Sequence, residues 1–490
     1  MVMVQQVAKL ASKSLLLLSC CMLSLTACGS NEESDMSGKE EEKGQTTIVE
    51  VDNTKALGPR NRVIYEMNVG AFTSAGTFAA AGEQLSELRK LGIDIVWLMP
   101  IYPRGGGIDS PYAATDFKKT NPKYGTVADL KAFVAKAHGL GMEVWLDWVP
   151  NHTATNANWV TSNPEYYTKK NGQMVHPNNY GDVFELNYQN EGLVNAMNDC
   201  LKFWIDEADI DGYRCDYISS STIPVSYWQN TIPMLKNYKP GKEIEMLGES
   251  DFTDPNNARL KASGFEYDYA WWFQGTALRQ QMGANGTDAS VLLKSATQFV
   301  TDSKELLAKG IRRMVYLTNH DVNYNDGGAK LSDMYGGNRY AFTVLQFTIM
   351  GMPLLYNGQE IGGMQILDYF KDAKINWSNV DKKMQNTIRT LVALRHTQKA
   401  LGDDVEPQFL TTQNKGGFAY SKTSGANTVL VVLNLDNTPQ TIQVQGVTAG
   451  DYTQWIDSKE IGQKISTKKV SLTSTASVSL DGKGYAVFVK

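Results

Sequence analysis

A chain of 490 residues is too long for one small core, and two or three domains are expected. With 42% hydrophobic and 20% charged residues it has the composition of a globular protein, and a net charge of −5 lacks the basic surplus of a nucleic-acid binder. Its 10 Trp and 23 Tyr offer many ring faces, which suit sugar stacking as well as core filling.

In chain order, Lys9 and Lys13 precede "LLLLSCCMLSL", an apolar run of secretory-signal length and too short for a stable membrane span. The stretch "LTAC" at residues 25–28 resembles a bacterial lipobox. That resemblance implies a signal peptide over 1–27, diacylation of Cys28, and an extracytoplasmic protein anchored to a membrane by lipid. Beyond Cys28 only Cys200 and Cys215 remain, which makes no disulfide framework and no metal-ligand spacing. Cys200 shares a helical stripe with Leu193, Met197, Leu201 and Trp204 and reads as a core thiol. Residues 28–57 read as a disordered tether, because "GSNEESDMSGKEEEKGQT" is acidic and almost without apolar side chains. Extended, that stretch reaches about 60 Å.

From Val63 the pattern alternates between strand and helix. "RVIYEMNV", "IDIVWLMP", "EVWLDWVPN", "IDGYRCDYI", "EIEMLGES", "YDYAWWF", "RMVYLTNHD" and "MPLLYNGQE" read as strands. Between them lie amphipathic helices, among them one with Leu85, Leu88 and Leu91 on a face and one with Leu130, Phe133, Val134 and Ala137. Eight such repeats over residues 58–400 predict an α/β fold, a (β/α)8 TIM barrel, with a small inserted subdomain at 152–190 after the third strand. Residues 401–490 carry short alternating strands, "GFAYSK", "TVLVVLNL", "QTIQVQGV", "KVSLTS" and "GYAVFVK", and predict a C-terminal all-β sandwich.

Catalytic groups of such a barrel sit at the C-terminal ends of its strands. The third strand ends in "DWVPNH", the fourth in "RCD", the fifth in "GES" and the seventh in "TNHD". These bring Asp147, Asn151, His152, Arg214, Asp216, Glu249, Asn319, His320 and Asp321 to one mouth, although strands disfavour Asp and Asn. Arg214 and Asp216 are two apart and face the same side while Cys215 faces away, so two charges point inward and must pair or do chemistry.

These four motifs in order, with "SPYAATDFKKTNPKYGT" and "GMPLLYNGQEIGG", resemble the α-amylase family, glycoside hydrolase family 13, over about residues 60–490. Retaining hydrolysis needs a carboxylate nucleophile and a protonated acid about 5–5.5 Å apart. The resemblance implies Asp216 as nucleophile, Glu249 as acid and base, and Asp321 as the third carboxylate, favouring a distorted sugar. It further implies that His152 and His320 hydrogen-bond the sugar being cleaved and that Tyr112 stacks beneath it. Arg214 joins the substrate-site set, paired with Asp147, and is expected to hold Asp216 ionised by lowering its pKa; neighbouring negative charge is expected to keep Glu249 protonated. Asn151 and Glu185 are the expected ligands of a structural calcium, and catalysis itself needs no cofactor.

Ser219 and Ser220 stand where many amylases carry a Lys-His pair, so preference on the leaving-group side does not transfer. His138, His176 and His396 match no motif, and one of Trp271 and Trp272 is a candidate sugar platform. The expected function is a retaining, endo-acting hydrolase of α-1,4 bonds in starch-like polysaccharides, working at the cell surface as a lipid-anchored monomer without a nucleic-acid partner. Neopullulanase, cyclodextrin-hydrolase and glucanotransferase chemistry use the same three carboxylates. A non-catalytic glucan-binding protein is the reading from another class, and intact Asp216, Glu249 and Asp321 weigh against it.

Overall fold

The computed structural model describes residues 46–250, 254–325 and 328–490. The signal peptide and Cys28 lie outside them, and among the described residues no helix is long and apolar enough to cross a membrane.

Eight parallel strands close a barrel in chain order: β1 (Ile64–Met67), β2 (Ile95–Leu98), β3 (Glu143–Trp148), β4 (Gly212–Cys215), β5 (Glu245–Gly248), β6 (Tyr267–Tyr269), β7 (Arg312–Val315) and β8 (Met352–Tyr356). β8 returns to pair with β1. The strands read as continuous apolar runs because side chains are buried on both faces, inside the barrel and under the helices. β6 is shorter than "YDYAWWF" suggests: it stops at Tyr269, and Trp271 and Trp272 lead into a π-helical segment, Phe273–Met282. Gly212 opens β4 where a Cβ would lie 2.7 Å from the Glu245 carbonyl oxygen and 2.8 Å from the Trp145 ring, so only glycine fits.

The helices follow their sequence signals. Phe78–Leu91 starts at Thr77, whose hydroxyl accepts from the Ala80 amide, and ends at Gly92 in the left-handed region at φ 102°. Val127–Gly139 begins with a reciprocal Thr126–Asp129 capping box and buries Leu130, Phe133, Val134 and Ala137, as its periodicity predicts. Each such side chain contributes roughly 1.5–3 kcal/mol relative to exposure. Glu191–Ala208 buries Cys200 with Leu193, Met197, Leu201 and Trp204, which is the core role expected of that thiol.

The insertion after β3 is a small layer of short strands. His152–Ala154 pairs antiparallel with Val183–Glu185, and Lys169–Lys170 with Gln173–Met174. It packs on the loop after β2, with Ala154 and Val183 buried against Ala113.

After the helix Lys382–Thr397 come eight antiparallel strands: β9 (Pro407–Thr412), β10 (Gly417–Ser424), β11 (Asn427–Asn434), β12 (Gln440–Gln445), β13 (Gly450–Asp457), β14 (Ile465–Leu472), β15 (Thr475–Leu480) and β16 (Tyr485–Val489). β9, β13 and β15 are additional to the five strands expected. Their sheet folds over a core of Leu430, Val432, Ile442, Val444, Val478 and Phe488. It docks on the barrel through Tyr420 to Thr348 (2.5 Å), Tyr485 to Thr387 (2.8 Å) and the buried Lys422, which donates to the carbonyls of Ile349 and Gly402.

One expectation is corrected here. Residues 46–49 fall within the stretch read as a tether, yet Thr46–Val49 is a strand on the edge of the C-terminal sheet, in register with Ile465–Lys468 of β14. All four residues are β-branched, and β14 offers an open edge whose backbone groups they satisfy.

Candidate active site

Arg214 is the hub of the mouth. Its side chain is wholly buried, and Nη1 donates to both oxygens of Asp147 and to Asp216 Oδ1, each at 3.0 Å. Nη2 lies 2.7 Å from Glu249 Oε2, an ionic contact outside hydrogen-bond alignment. Nε donates to the Tyr269 hydroxyl at 3.1 Å, and the guanidinium lies 5.2–5.6 Å from the ring centres of Trp97, Tyr112 and Tyr269. Grouped with the substrate-contacting residues in the sequence reading, Arg214 is instead sealed beneath the carboxylates and positions them. The register explains how: Asp147 of β3 pairs with Arg214 of β4, and the Glu249 amide bonds the Cys215 carbonyl, which brings the ends of three adjacent strands to one level.

Asp147 is fully buried and also accepts from Trp97 Nε1 and the Tyr112 hydroxyl, each at 3.2 Å. Asp216 and Glu249 keep 14% side-chain exposure, so both open onto the cleft. Glu249 Oε2 additionally accepts from the Tyr217 amide at 3.0 Å.

A second group joins the end of β7. His320 Nδ1 lies 2.5 Å from Glu66 Oε1, while Nε2 lies 2.7 Å from the Tyr112 hydroxyl and 3.2 Å from Asp321 Oδ2. The Tyr112 ring stacks on His320 with centroids 5.3 Å apart and an 18° tilt. Asp321 accepts from Asn325 at 3.1 Å and retains 24% exposure. Tyr369, on the loop after β8, packs edge-on against both Tyr112 and His320.

The electrostatics correct one expectation. Burial pushes Asp216 up to about 6; the Arg214 charge opposes this without reversing it, and Asp147 and Asp321 add to it. Sequence reading foresaw the guanidinium but not the depth of burial. Burial likewise carries Glu249 up to about 7, reinforced by the charges of Asp216 and Asp321 and opposed by Arg214. The two carboxyls therefore titrate as one coupled pair, with both protons held more tightly than in water. At His320 burial disfavours the cation, yet Asp321 and Glu66 overcome it and lift the imidazole to about 9. His152, half-buried on the inserted subdomain with Nδ1 3.2 Å from the Asn151 amide nitrogen, is pushed down to about 4 by burial and stays neutral. With Glu249 holding its proton and burial lifting Asp147 to about 7, the carboxylates of Glu66, Asp216 and Asp321 face two cations, Arg214 and His320, a small negative excess suited to a cationic reacting centre.

Of the donors expected for calcium, Asn151 lies just after β3 and Glu185 in the inserted layer. The Asn151 amide oxygen accepts from Thr222 Oγ1 at 3.2 Å, and Glu185 pairs with His152 through the backbone of the inserted layer. Among the described residues no three His, Cys, Asp or Glu side chains gather to hold a metal ion. Of the remaining histidines, His138 bonds Asp211 at 2.8 Å, His176 the Val183 carbonyl at 2.9 Å and His396 Asp94 at 2.9 Å. Trp271 stacks on Tyr269 with centroids 5.6 Å apart, and Tyr269 in turn contacts Arg214. Glu66, Trp97, Tyr269 and Tyr369 are site residues that sequence reasoning passed over. The glutamate inside the apolar run "VIYEM" was a visible signal; Tyr369, in an irregular loop, gave none.

A closed (β/α)8 barrel with paired carboxylates and a buried guanidinium at its C-terminal mouth is the framework of a glycosidase. Residues 44–185 and 178–423 match the alpha-amylase catalytic domain, and the chain belongs to that family of glycoside hydrolases. The alpha-amylase MalA of Haloarcula japonica is 27% identical over 413 residues, 79% of this chain, and the cyclomaltodextrin glucanotransferase of Geobacillus stearothermophilus is 25% identical over 404 residues, 75% of this chain. The chain spans 57% and 53% of the lengths of those two relatives. The maltogenic alpha-amylase AmyB of Thermotoga neapolitana shares the fold, with a TM-score of 0.73 at 23% identity over 88% of this chain and 99% of that one.

Proposed function

We propose that the protein is a retaining, endo-acting hydrolase of α-1,4-glucosidic bonds in starch-like polysaccharides, tethered outside the cytoplasm by lipid on Cys28 and acting as a monomer. The observation that carries the chemistry is the shared grip of Arg214 on Asp216 and Glu249, a coupled pair of carboxyls lifted by burial, in which one ionised and one protonated member serve double displacement. The ionised Asp216 attacks the anomeric carbon; the bond to the glycosidic oxygen breaks as that oxygen takes the proton of Glu249. The deprotonated Glu249 then removes a proton from water, which attacks the anomeric carbon and releases Asp216. Asp321 and the cationic His320 hold hydroxyls of the reacting sugar, the neutral His152 adds a further donor, and the Tyr112 ring lies beneath. The surplus of carboxylates favours the oxocarbenium-like transition state over the neutral ground state.

The test is the early product profile of the purified protein on soluble amylose, with anomers followed by NMR. Mixed maltooligosaccharides with α-anomeric new ends are expected; β-anomeric ends would overturn the double-displacement assignment. A second reading, glucosyl transfer, is favoured by the likeness to a cyclomaltodextrin glucanotransferase, and cyclic or elongated products in the same assay would establish it.

A further inference from the structure

Tyr217, the residue after Asp216, has no part in the mechanism given above. If the strand simply continued, alternation would send its side chain outward with Cys215, which is completely buried. The backbone instead takes φ 44° at Tyr217, the left-handed region that a residue with a Cβ disfavours. The consequences are twofold. The Tyr217 amide turns onto Glu249 Oε2 at 3.0 Å, and the ring emerges with 38% exposure instead of entering the core. Among the described residues, no ring stacks on it and its hydroxyl has no partner. A strained backbone holding a large, unengaged aromatic beside an acid is unexplained by packing, which would be served by a small residue or glycine here.

The location gives the ring its direction of use. Tyr112 is committed to His320, on the Asp321 flank. Tyr217 belongs to the flank of Glu249, whose proton goes to the departing oxygen. We propose that the Tyr217 ring is the platform on which the leaving-group glucose unit stacks its apolar C–H face, so that Tyr217 sets the requirement for a sugar on that side of the scissile bond. This inference rests on the glycosidase reading given above.

Two substrates with the same maltosyl part separate the roles: maltotetraose, whose departing group is a sugar, and α-maltosyl fluoride, whose departing fluoride needs neither a platform nor much acid assistance. Tyr217→Gly preserves the amide that bonds Glu249 and relieves the backbone strain. It should lower kcat/KM for maltotetraose on the order of tenfold more than for the fluoride, chiefly through KM, with Tyr217→Phe restoring most of the loss. Equal losses on both substrates, or none on maltotetraose, would overturn the platform role while leaving the glycosidase reading intact. A wild-type protein that turns over neither substrate would overturn the glycosidase reading, and this inference with it.

Discussion

The barrel carries two arginine-centred clusters, one at each end, built from nearly the same residues. At the bottom, Arg62 donates to Glu143 (2.7 Å), to Glu245 (2.7 Å) and to the Tyr267 hydroxyl oxygen at 3.1 Å. At the top, Arg214 holds Asp147, Asp216 and Glu249 and contacts the Tyr269 hydroxyl. β3 and β5 serve both: Glu143 opens β3 and Asp147 nears its end, while Glu245 opens β5 and Glu249 follows it. Even the shifts agree, for burial lifts Glu143 to about 7, the same range as Glu249. A perturbed carboxylate beside an arginine is therefore no mark of catalysis by itself. What differs is the company. The lower cluster borders a surface cavity in the company of further ion pairs, such as Lys242 with Asp209 and Asp211, whereas the upper one is joined by His320, Asp321 and the Tyr112 ring.

The largest effect that separates the two ends is expected from Asp216→Asn, which should reduce turnover of amylose on the order of 10⁴-fold while leaving the thermal unfolding midpoint close to wild type. Near-normal turnover would remove Asp216 from the nucleophile's place. Glu249→Gln should cost about 10³-fold on amylose but far less on an activated aryl maltoside, whose leaving group needs little protonation. Equal losses on the two substrates, measured side by side, would argue against the acid role.

At the lower end the order of effects reverses. Arg62→Met leaves two partly buried carboxylates without their cation, and since Glu143 is 37% exposed the cost is discounted to about 2 kcal/mol of folding stability. Urea unfolding should register that loss, whereas kcat per folded molecule should stay within about twofold of wild type. A comparable fall in kcat would mean that the bottom of the barrel governs the geometry of the mouth, contrary to the separation drawn here.

Much of this was legible before the structure. Polar residues at strand ends stand out against apolar runs, so Asp147, Arg214, Asp216, Glu249, His320 and Asp321 could all be named, and the structure brings them together. Helical stripes are local, and Leu130, Phe133, Val134 and Ala137 face inward as read. What escaped depends on partners distant in sequence. Glu66 acquires meaning only beside His320, 254 residues later, and Thr46–Val49 is a strand only because β14 leaves an edge for it. The sign of the Asp216 shift escaped for the same reason: the arginine is written two residues away, but the burial that outweighs it is a product of the whole barrel.

The smallest expected effect sharpens the comparison most, because Glu143 and Glu249 are lifted to the same range and should be told apart by what each titration changes. With the proposed roles, turnover requires Asp216 ionised and Glu249 protonated, so kcat/KM should rise as pH climbs through about 6 and fall as it passes about 7, a narrow bell belonging to the coupled pair. Glu143→Gln should leave that bell in place, since Glu143 touches no reacting atom. Its proton should be read in stability instead. Glu143 holds its proton more tightly folded, at about 7, than at its ordinary 4.5, so over that interval the native state binds more protons and stability falls as pH rises. Urea midpoints between pH 4.5 and 7 should therefore decline in the wild type and decline less in Glu143→Gln. If Glu143→Gln moves the alkaline limb of the rate profile, the two ends of the barrel are electrostatically one site; if only the urea series changes, burial has produced the same shift twice and catalysis uses it once.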